Sequence, residues 1–384
     1  MIIKNANVFT EAGVFVKKDI FIDQGKFVDD APQGSDGSLD GQEVIDGNGC
    51  YAIPGLTDIH FHGCVGYDFC DGTFEAMEHM AAYELSVGVT TIVPATMTLA
   101  RETLYDICKT AAEYVKKNQD TNEKRAILCG INMEGPFVAE SKKGAQNAAY
   151  IKEPDCAMYD ELQSVSGNMI KLVAIAPEIN GAMEFIADRK DQVVLSLAHT
   201  DADYDTAKEA FDKGASHVTH LYNAMNPYTH RAPGVVAAAA EAGAEVELIC
   251  DGVHIHPAAV RTTFKIFGDD KIIFVSDSMM ATGMEDGDYS LGGQAVKVTG
   301  NRATLADGTI AGSATNLMDC MRTAVLKMGI PLESAVKCAA VNSAKSVGIY
   351  DQYGSIEPGK VANLVLLKPD DLAIEKIILK GNVV

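Results

Sequence analysis

The sequence predicts an α/β fold: a (β/α)8 barrel of the TIM type, carrying a small β-sandwich domain built from both ends of the chain. Three observations point there. Short, nearly continuous apolar runs alternate with helix-like segments through the middle of the chain, which is the grammar of a parallel sheet covered on its outside. Hairpin-like alternation is confined to the two ends. Histidines and carboxylates sit near the C-terminal ends of the apolar runs, the end at which barrel enzymes gather their catalytic groups.

At the start, "MIIKNANVFT", "DIFIDQGKFVD" and "EVIDGNGCYAIPG" are β-type runs broken by Gly/Asp turns. The end of the chain repeats the pattern in "GSIEPGKVANLVLLKP" and "AIEKIILKGNVV". Residues 1–55 and 350–384 are therefore expected to meet in one β domain, with the barrel spanning 56–349. Its eight strands are expected at "GLTDIHFH", "TTIVPAT", "AILCGINMEG", "KLVAIAPE", "VVLSLAHT", "HVTHLYN", "VELICDGVH" and "IIFVSDS". Helices are read at "TFEAMEHMAAYELSVG", "DYDTAKEAFDKG" and "PAAVRTTFKIFG". An open doubly wound sheet is the alternative, but no GxGxxG follows the first strand. From about 284 to 312 a Gly-rich stretch breaks the rhythm and reads as a β insertion, with helices expected near 315–328 and 331–347.

Composition narrows the function. With 384 residues the chain can bury a large core, and 47% hydrophobic with 22% charged residues is an ordinary globular profile. A formal charge of −21 argues against nucleic acid or an anionic membrane as partner, because both need a positive face. The N-terminus lacks a signal-peptide pattern and no run is apolar enough to span a bilayer. Nine scattered cysteines without a CxxC pair suit a reducing cytoplasm.

The pair His60 and His62 raises the central question. Residues i and i+2 of a strand face the same side, so two imidazoles there converge on one space. That suits a metal ion; an ordinary buried histidine pair is the other reading. Glu134, His199, His220, His254 and Asp277 fall near the ends of other runs, and their joint placement favours one rim. Arg231 offers a planar fork suited to phosphate, or else a surface ion pair. Lys142-Lys143 could be a loop contact to phosphate or simply solvated, and the solvated reading is favoured.

These motifs resemble the amidohydrolase superfamily. "MEGPF", "GAQ", "LAHTDADY", "THLYNAMNP", "HRAPG", "DGVHIHP" and "TIAGS" narrow the likeness to its N-acetylglucosamine-6-phosphate deacetylase family. The resemblance runs the length of the chain. It implies a homodimeric cytoplasmic hydrolase of amino-sugar catabolism, acting on a linear amide C–N bond to release acetate. It implies Glu134, His199 and His220 as ligands of the main metal, and His60 and His62 as a second metal pair that some members lack. Asp277 matches the acid/base. Ala145, Asn223, Ala224, Arg231, His254 and the turn Ile310, Ala311, Gly312 match substrate-contact positions. Gln146 stands where single-metal members carry a carbonyl-polarising His, a departure in keeping with two metals.

The chemistry agrees with that likeness. A divalent metal answers both weaknesses of amide hydrolysis, a poor electrophile and a poor nucleophile. Mixed His and carboxylate ligands fit one or two Zn2+ or Fe2+ ions. The rival readings are the galactosamine-epimer deacetylase, a cyclic amidase, and a catalytically silent barrel serving as a binding scaffold.

Overall fold

The computed structural model describes residues 1–31, 43–118 and 124–384. Both ends of the chain join one eight-stranded sheet. Its centre is Ile2–Phe9, antiparallel to Phe15–Asp23 and parallel to Val44–Asp46 and Tyr51–Pro54. Tyr51–Pro54 pairs in turn with Leu364–Leu367, so the last part of the chain extends a sheet that the first part began. The sheet bends back on itself: Phe27 N–H donates to Lys360 O (3.0 Å) and Ala362 N–H to Gly25 O (2.8 Å).

The period of two decides what this sheet covers. Leu364 and Leu366 join Ile3, Ala6, Val8, Ile22 and Ile378 in a core of their own. Val365 and Leu367, pointing the other way, belong to the main core with Leu56, Val89 and Met318. A strand apolar on both faces is what a sheet between two cores requires.

The middle of the chain forms two parallel sheets. Leu56–Asp58, Val89–Ile92 and Ile127–Leu128 make the first. The second runs in chain order through Ile131–Met133, Ile170–Ile175, Val194–Leu197, His217–Val218, Glu245–Ile249 and Ile272–Val275. Backbone hydrogen bonds link them at both edges. Asn132 and Pro94 are joined at 2.9 Å, while Asp277 N–H donates to His60 O (2.9 Å) and His62 N–H to Ser278 O (2.7 Å).

The helices between these strands begin where local chemistry dictates. Thr73 caps Phe74–Ser86 and Asp203 caps Tyr204–Lys213 through side-chain oxygens. Pro257 opens Pro257–Phe267, where its missing N–H has no helical partner to lose.

The expected insertion is a three-stranded antiparallel sheet, Gly287–Leu291, Gln294–Thr299 and Arg302–Thr304. It packs Leu291, Val296 and Ala303 against Met97, Ala145 and Ala311. Helix Leu317–Leu326 follows, then Leu332–Val336 and Asn342–Ser346 with a π turn, Lys337–Val341, between them.

Candidate metal and catalytic site

The first strand ends at Asp58, so His60 and His62 lie just past it rather than within it. The alternation nevertheless continues: Ile59 and Phe61 are buried in apolar clusters while the two imidazoles face one side, ring centroids 5.5 Å apart. Glu134, His199, His220 and Asp277 likewise follow directly on Ile131–Met133, Val194–Leu197, His217–Val218 and Ile272–Val275. Parallel strands all point one way, and so these side chains meet at one end.

Glu134 is where they converge. Its Oε1 lies 3.0 Å from His199 Nε2 and 3.2 Å from His220 Nε2, while Oε2 lies 3.2 Å from His62 Nε2. Two candidate ligand groups share this carboxylate: Glu134 with His199 and His220, and Glu134 with His60 and His62. In each group the ligand atoms lie within 4.8 Å of one another. His199 Nδ1–H donates to Lys142 O (2.8 Å), which leaves its Nε2 for the centre. Gln146 holds Glu134 from the side: its Nε2 donates to Glu134 Oε2 (3.0 Å) and its Oε1 accepts from Thr98 N–H (2.6 Å).

Three of these residues also adopt a left-handed backbone. His199, His220 and Asp277 have φ of +44°, +31° and +49°. Each such conformation costs on the order of 1–3 kcal/mol in a residue with a side chain and persists only where its surroundings enforce it. Gly135, at φ +82°, has a different reason: a Cβ there would stand 2.1 Å from Thr98 Oγ1. Only glycine lets the chain turn tightly after Glu134.

The electrostatics call for a cation. Burial opposes charge on His62, but hydrogen bonds to Asp277 and Glu134 override it and push the ring up to about 10. Burial likewise opposes charge on Glu134, yet the His60 ring and the hydrogen bonds from His199 and His220 hold it well below the usual carboxylate range. His60 Nε2 is buried without a hydrogen-bond partner, 3.6 Å from Glu134 Oε1 and 3.7 Å from Asp277 Oδ1. Anionic carboxylates and inward-facing Nε2 atoms are the donor set a divalent metal takes, so these residues fit one.

Beside this cluster opens a cavity of about 560 Å3, the size of a small-molecule site. Ala145, Gln146, Asn223, Ala224 and His254 line it, as does the turn Ile310, Ala311 and Gly312. Gly312, at φ +62°, brings that turn so close to the site that a Cβ would stand 3.1 Å from Asp277 O. Arg231 does not line the cavity; it is exposed, within the turn in which Ala232 N–H donates to Thr229 Oγ1. Lys142 and Lys143, read as solvated, are half-exposed and stand at the cavity wall, on a loop in which Lys142 O accepts from His199 Nδ1.

Two supporting residues went unread in the sequence. Asp251 Oδ2 accepts from His254 Nδ1 (2.8 Å), and its Oδ1 accepts the main-chain N–H groups of Val253 and His254. Glu247 Oε2 accepts from His60 Nδ1 (2.8 Å) and from His220 N–H (3.0 Å). The signal for Glu247 was present: an acidic residue inside the apolar run "VELIC" is costly to bury unless partners await it.

Comparison with known proteins agrees with this geometry. Residues 51–384 match the amidohydrolase family. The N-acetylglucosamine-6-phosphate deacetylase of Bacillus subtilis (strain 168) is 38% identical, over 86% of this chain and 84% of its own. The N-acetylgalactosamine-6-phosphate deacetylase of Escherichia coli O157:H7 is 32% identical, over 85% and 86%. Among solved structures, a mutant N-acetyl-D-glucosamine-6-phosphate deacetylase from Mycobacterium smegmatis, in complex with N-acetyl-D-glucosamine-6-phosphate, superposes with a TM-score of 0.89. It shares 30% identity and covers 100% of this chain and 98% of its own. With a cavity beside a shared carboxylate, four converging imidazoles and this likeness in hand, the chain belongs to the amidohydrolase family, in the branch of the N-acetylglucosamine-6-phosphate deacetylases.

Proposed function

We propose that the chain hydrolyses the acetamide of N-acetyl-D-glucosamine 6-phosphate, releasing acetate and D-glucosamine 6-phosphate. The observation that carries this reading is Glu134 shared between two histidine pairs, with Asp277 beside His62 in the lining of the same cavity. Glu134, His199 and His220 would hold the main metal and His60 with His62 a second, Zn2+ or Fe2+ by their donor set. Bound there, a divalent metal polarises the acetamide carbonyl and makes water a better nucleophile.

Asp277 would carry the proton. Burial opposes its charge, but the hydrogen bond from His62 and the charge of His60 hold it below the ordinary carboxylate value, so it begins as a base. It takes a proton from the attacking water and returns it to the amine nitrogen as the C–N bond breaks. For the phosphate, His254 is fixed by Asp251 and presents its remaining ring nitrogen. Its pKa is raised because the Asp251 contacts outweigh burial, which favours the charged ring an anion would meet. The main-chain N–H of Ala224 would be the backbone donor, that of Asn223 being committed to His220 O (2.9 Å), and Lys143 would add a cation at the cavity wall.

We further infer that the two parallel sheets form one (β/α)8 barrel, with Ile127–Leu128 and Ile131–Met133 as two parts of its third strand, since backbone bonds join the sheets at both edges. The β domain would comprise 1–55 and 350–384, supported by its own hydrophobic cluster. A homodimer in the cytoplasm is part of the same proposal. All nine cysteines are free, as a reducing compartment would leave them, and no described helix is long and apolar enough to cross a membrane.

The galactosamine epimer is the second reading, favoured by the Escherichia coli relative. Acetate release measured on both 6-phosphorylated epimers, before and after metal removal by a chelator, tests the whole proposal. Faster turnover of the gluco epimer, lost with the metal and restored by its return, is expected. Full turnover in metal-free protein would overturn the metal reading, and preference for the galacto epimer would reassign the substrate.

A further inference from the structure

We propose that Glu247 is the positioning residue for the His60/His62 side of the site: its carboxylate fixes the tautomer and direction of the His60 ring and so makes a second metal position competent. This rests on the reading that these histidines hold metal.

Glu247 lies on the strand Glu245–Ile249 and is fully buried. A buried carboxylate is costly unless it has partners, and the partners of Glu247 are specific. Its Oε2 lies 2.8 Å from His60 Nδ1. An ionised carboxylate only accepts, so Nδ1 must carry a proton and Nε2 is left as the coordinating atom. That Nε2 has no hydrogen-bond partner and points between Glu134 and Asp277. Nothing else polar is in reach of His60 Nδ1 among the described residues, so without Glu247 the ring would lose both its orientation and its preferred tautomer.

The same oxygen does a second thing. Oε2 accepts the main-chain N–H of His220 at 3.0 Å, at a residue whose φ is +31°. One atom therefore touches the ring of a ligand in one group and the backbone of a ligand in the other. Of the remaining neighbours, His217 Nε2 lies 3.9 Å from Oε1, too far for a hydrogen bond, and His217 is itself held by Ser196 at 2.8 Å. The contact with His60 spans 187 residues and joins the segment just past the first parallel strand to a late strand that is not paired with it.

Carboxylates placed behind metal-binding histidines typically change metal affinity by about 10–100-fold when removed. Glu247→Gln keeps the shape but loses the charge and, because its amide can turn an N–H as well as an oxygen toward His60, no longer enforces a proton on Nδ1. The experiment is a zinc titration of the metal-stripped full-length chain, by competition with a chromophoric chelator. It compares the wild type with Glu247→Gln, His60→Gln and the double variant, each checked for its thermal transition. The wild type should bind two equivalents, and Glu247→Gln should weaken one of them about 10–100-fold. In the His60→Gln background, adding Glu247→Gln should change the remaining equivalent little, because the two residues act on one position.

Two wild-type affinities retained in Glu247→Gln would overturn the proposal, as would a further loss in the double variant, which would mark Glu247 as a general support. If Glu247→Gln does not fold, ring-nitrogen NMR of the zinc-loaded wild type decides. A proton on His60 Nδ1 is expected, and one on Nε2 would refute the assignment. A wild type that holds only one zinc yet releases acetate would overturn this inference while leaving the deacetylase reading intact.

Discussion

Gln146 and Glu134 share a hydrogen bond of 3.0 Å, amide nitrogen to carboxylate Oε2, and the other end of the same amide takes Thr98 N–H at 2.6 Å. Gln146 is buried and lines the cavity, but both of its polar ends are committed to the chain itself. It acts as a strut: it holds Glu134 against Thr98, next to the glycine that lets the chain turn. Gln146→Ala should therefore weaken metal binding about 10–100-fold and lower turnover with it, while KM at saturating metal changes little. Metal content after dialysis, measured with steady-state kinetics, checks this. A raised KM with unchanged metal content would make Gln146 a substrate contact instead.

Asp277→Asn should retain metal and bind the substrate yet turn it over about 10²–10⁴-fold more slowly, the usual worth of a positioned acid/base. Asn is nearly isosteric with Asp but neither takes nor returns a proton. Single-turnover rates beside metal analysis separate this from a ligand role, in which the variant would lose its metal.

The raised His62 gives a pH signature with a definite sign. In the metal-free chain this ring holds its proton from the ordinary value near 6.5 up to about 10. Its contribution to folding is thus fully present below 6.5 and is lost as pH rises through about 10. Metal must displace that proton, so affinity at the His62 position should rise by about tenfold per pH unit between these limits. Zinc titrations from pH 6.5 to 8.5 in buffers of different ionisation enthalpy should show a proton released. Affinity independent of pH would show that His62 is neutral before metal arrives.

Asp251→Asn should act through His254. Losing the charged partner lowers the imidazole's pKa and frees the ring to turn, since Asp251 raises it against the effect of burial. KM for the 6-phosphorylated sugar should rise roughly tenfold, the worth of one charge-assisted hydrogen bond, with kcat nearly unchanged. Kinetics on phosphorylated and unphosphorylated sugars check this: an equal loss on both would assign Asp251 to the fold alone.

Most of the architecture was legible because it is written locally. The period-two runs at both ends, the apolar strands between helices and the Gly-rich break near 284 are all short-range patterns, and each became the kind of element it implied. The candidate ligands were legible for the same reason, since a polar residue at the end of an apolar parallel strand can only lie at the sheet's edge. What each side chain touches was not local at all. His60 meets Glu247 across 187 residues, and Ala145 O accepts from Gln294 Nε2 across 149, so the insertion reaches the site by a contact no spacing announces. Gln146 and the lysine pair show the limit most plainly: residue type alone places Gln146 at a substrate-contact position and the lysines in solvent, and says nothing of their partners. The folded chain brings Thr98 and Glu134 to the one and places the other at the cavity wall, contacts that no local pattern announces. Arg231 is the converse case, a motif residue that the fold of the single chain leaves exposed and outside the cavity. Residue type and spacing set which groups face which end of a sheet. Burial and hydrogen-bond partners, which depend on every strand at once, set which atom of each group is left to act.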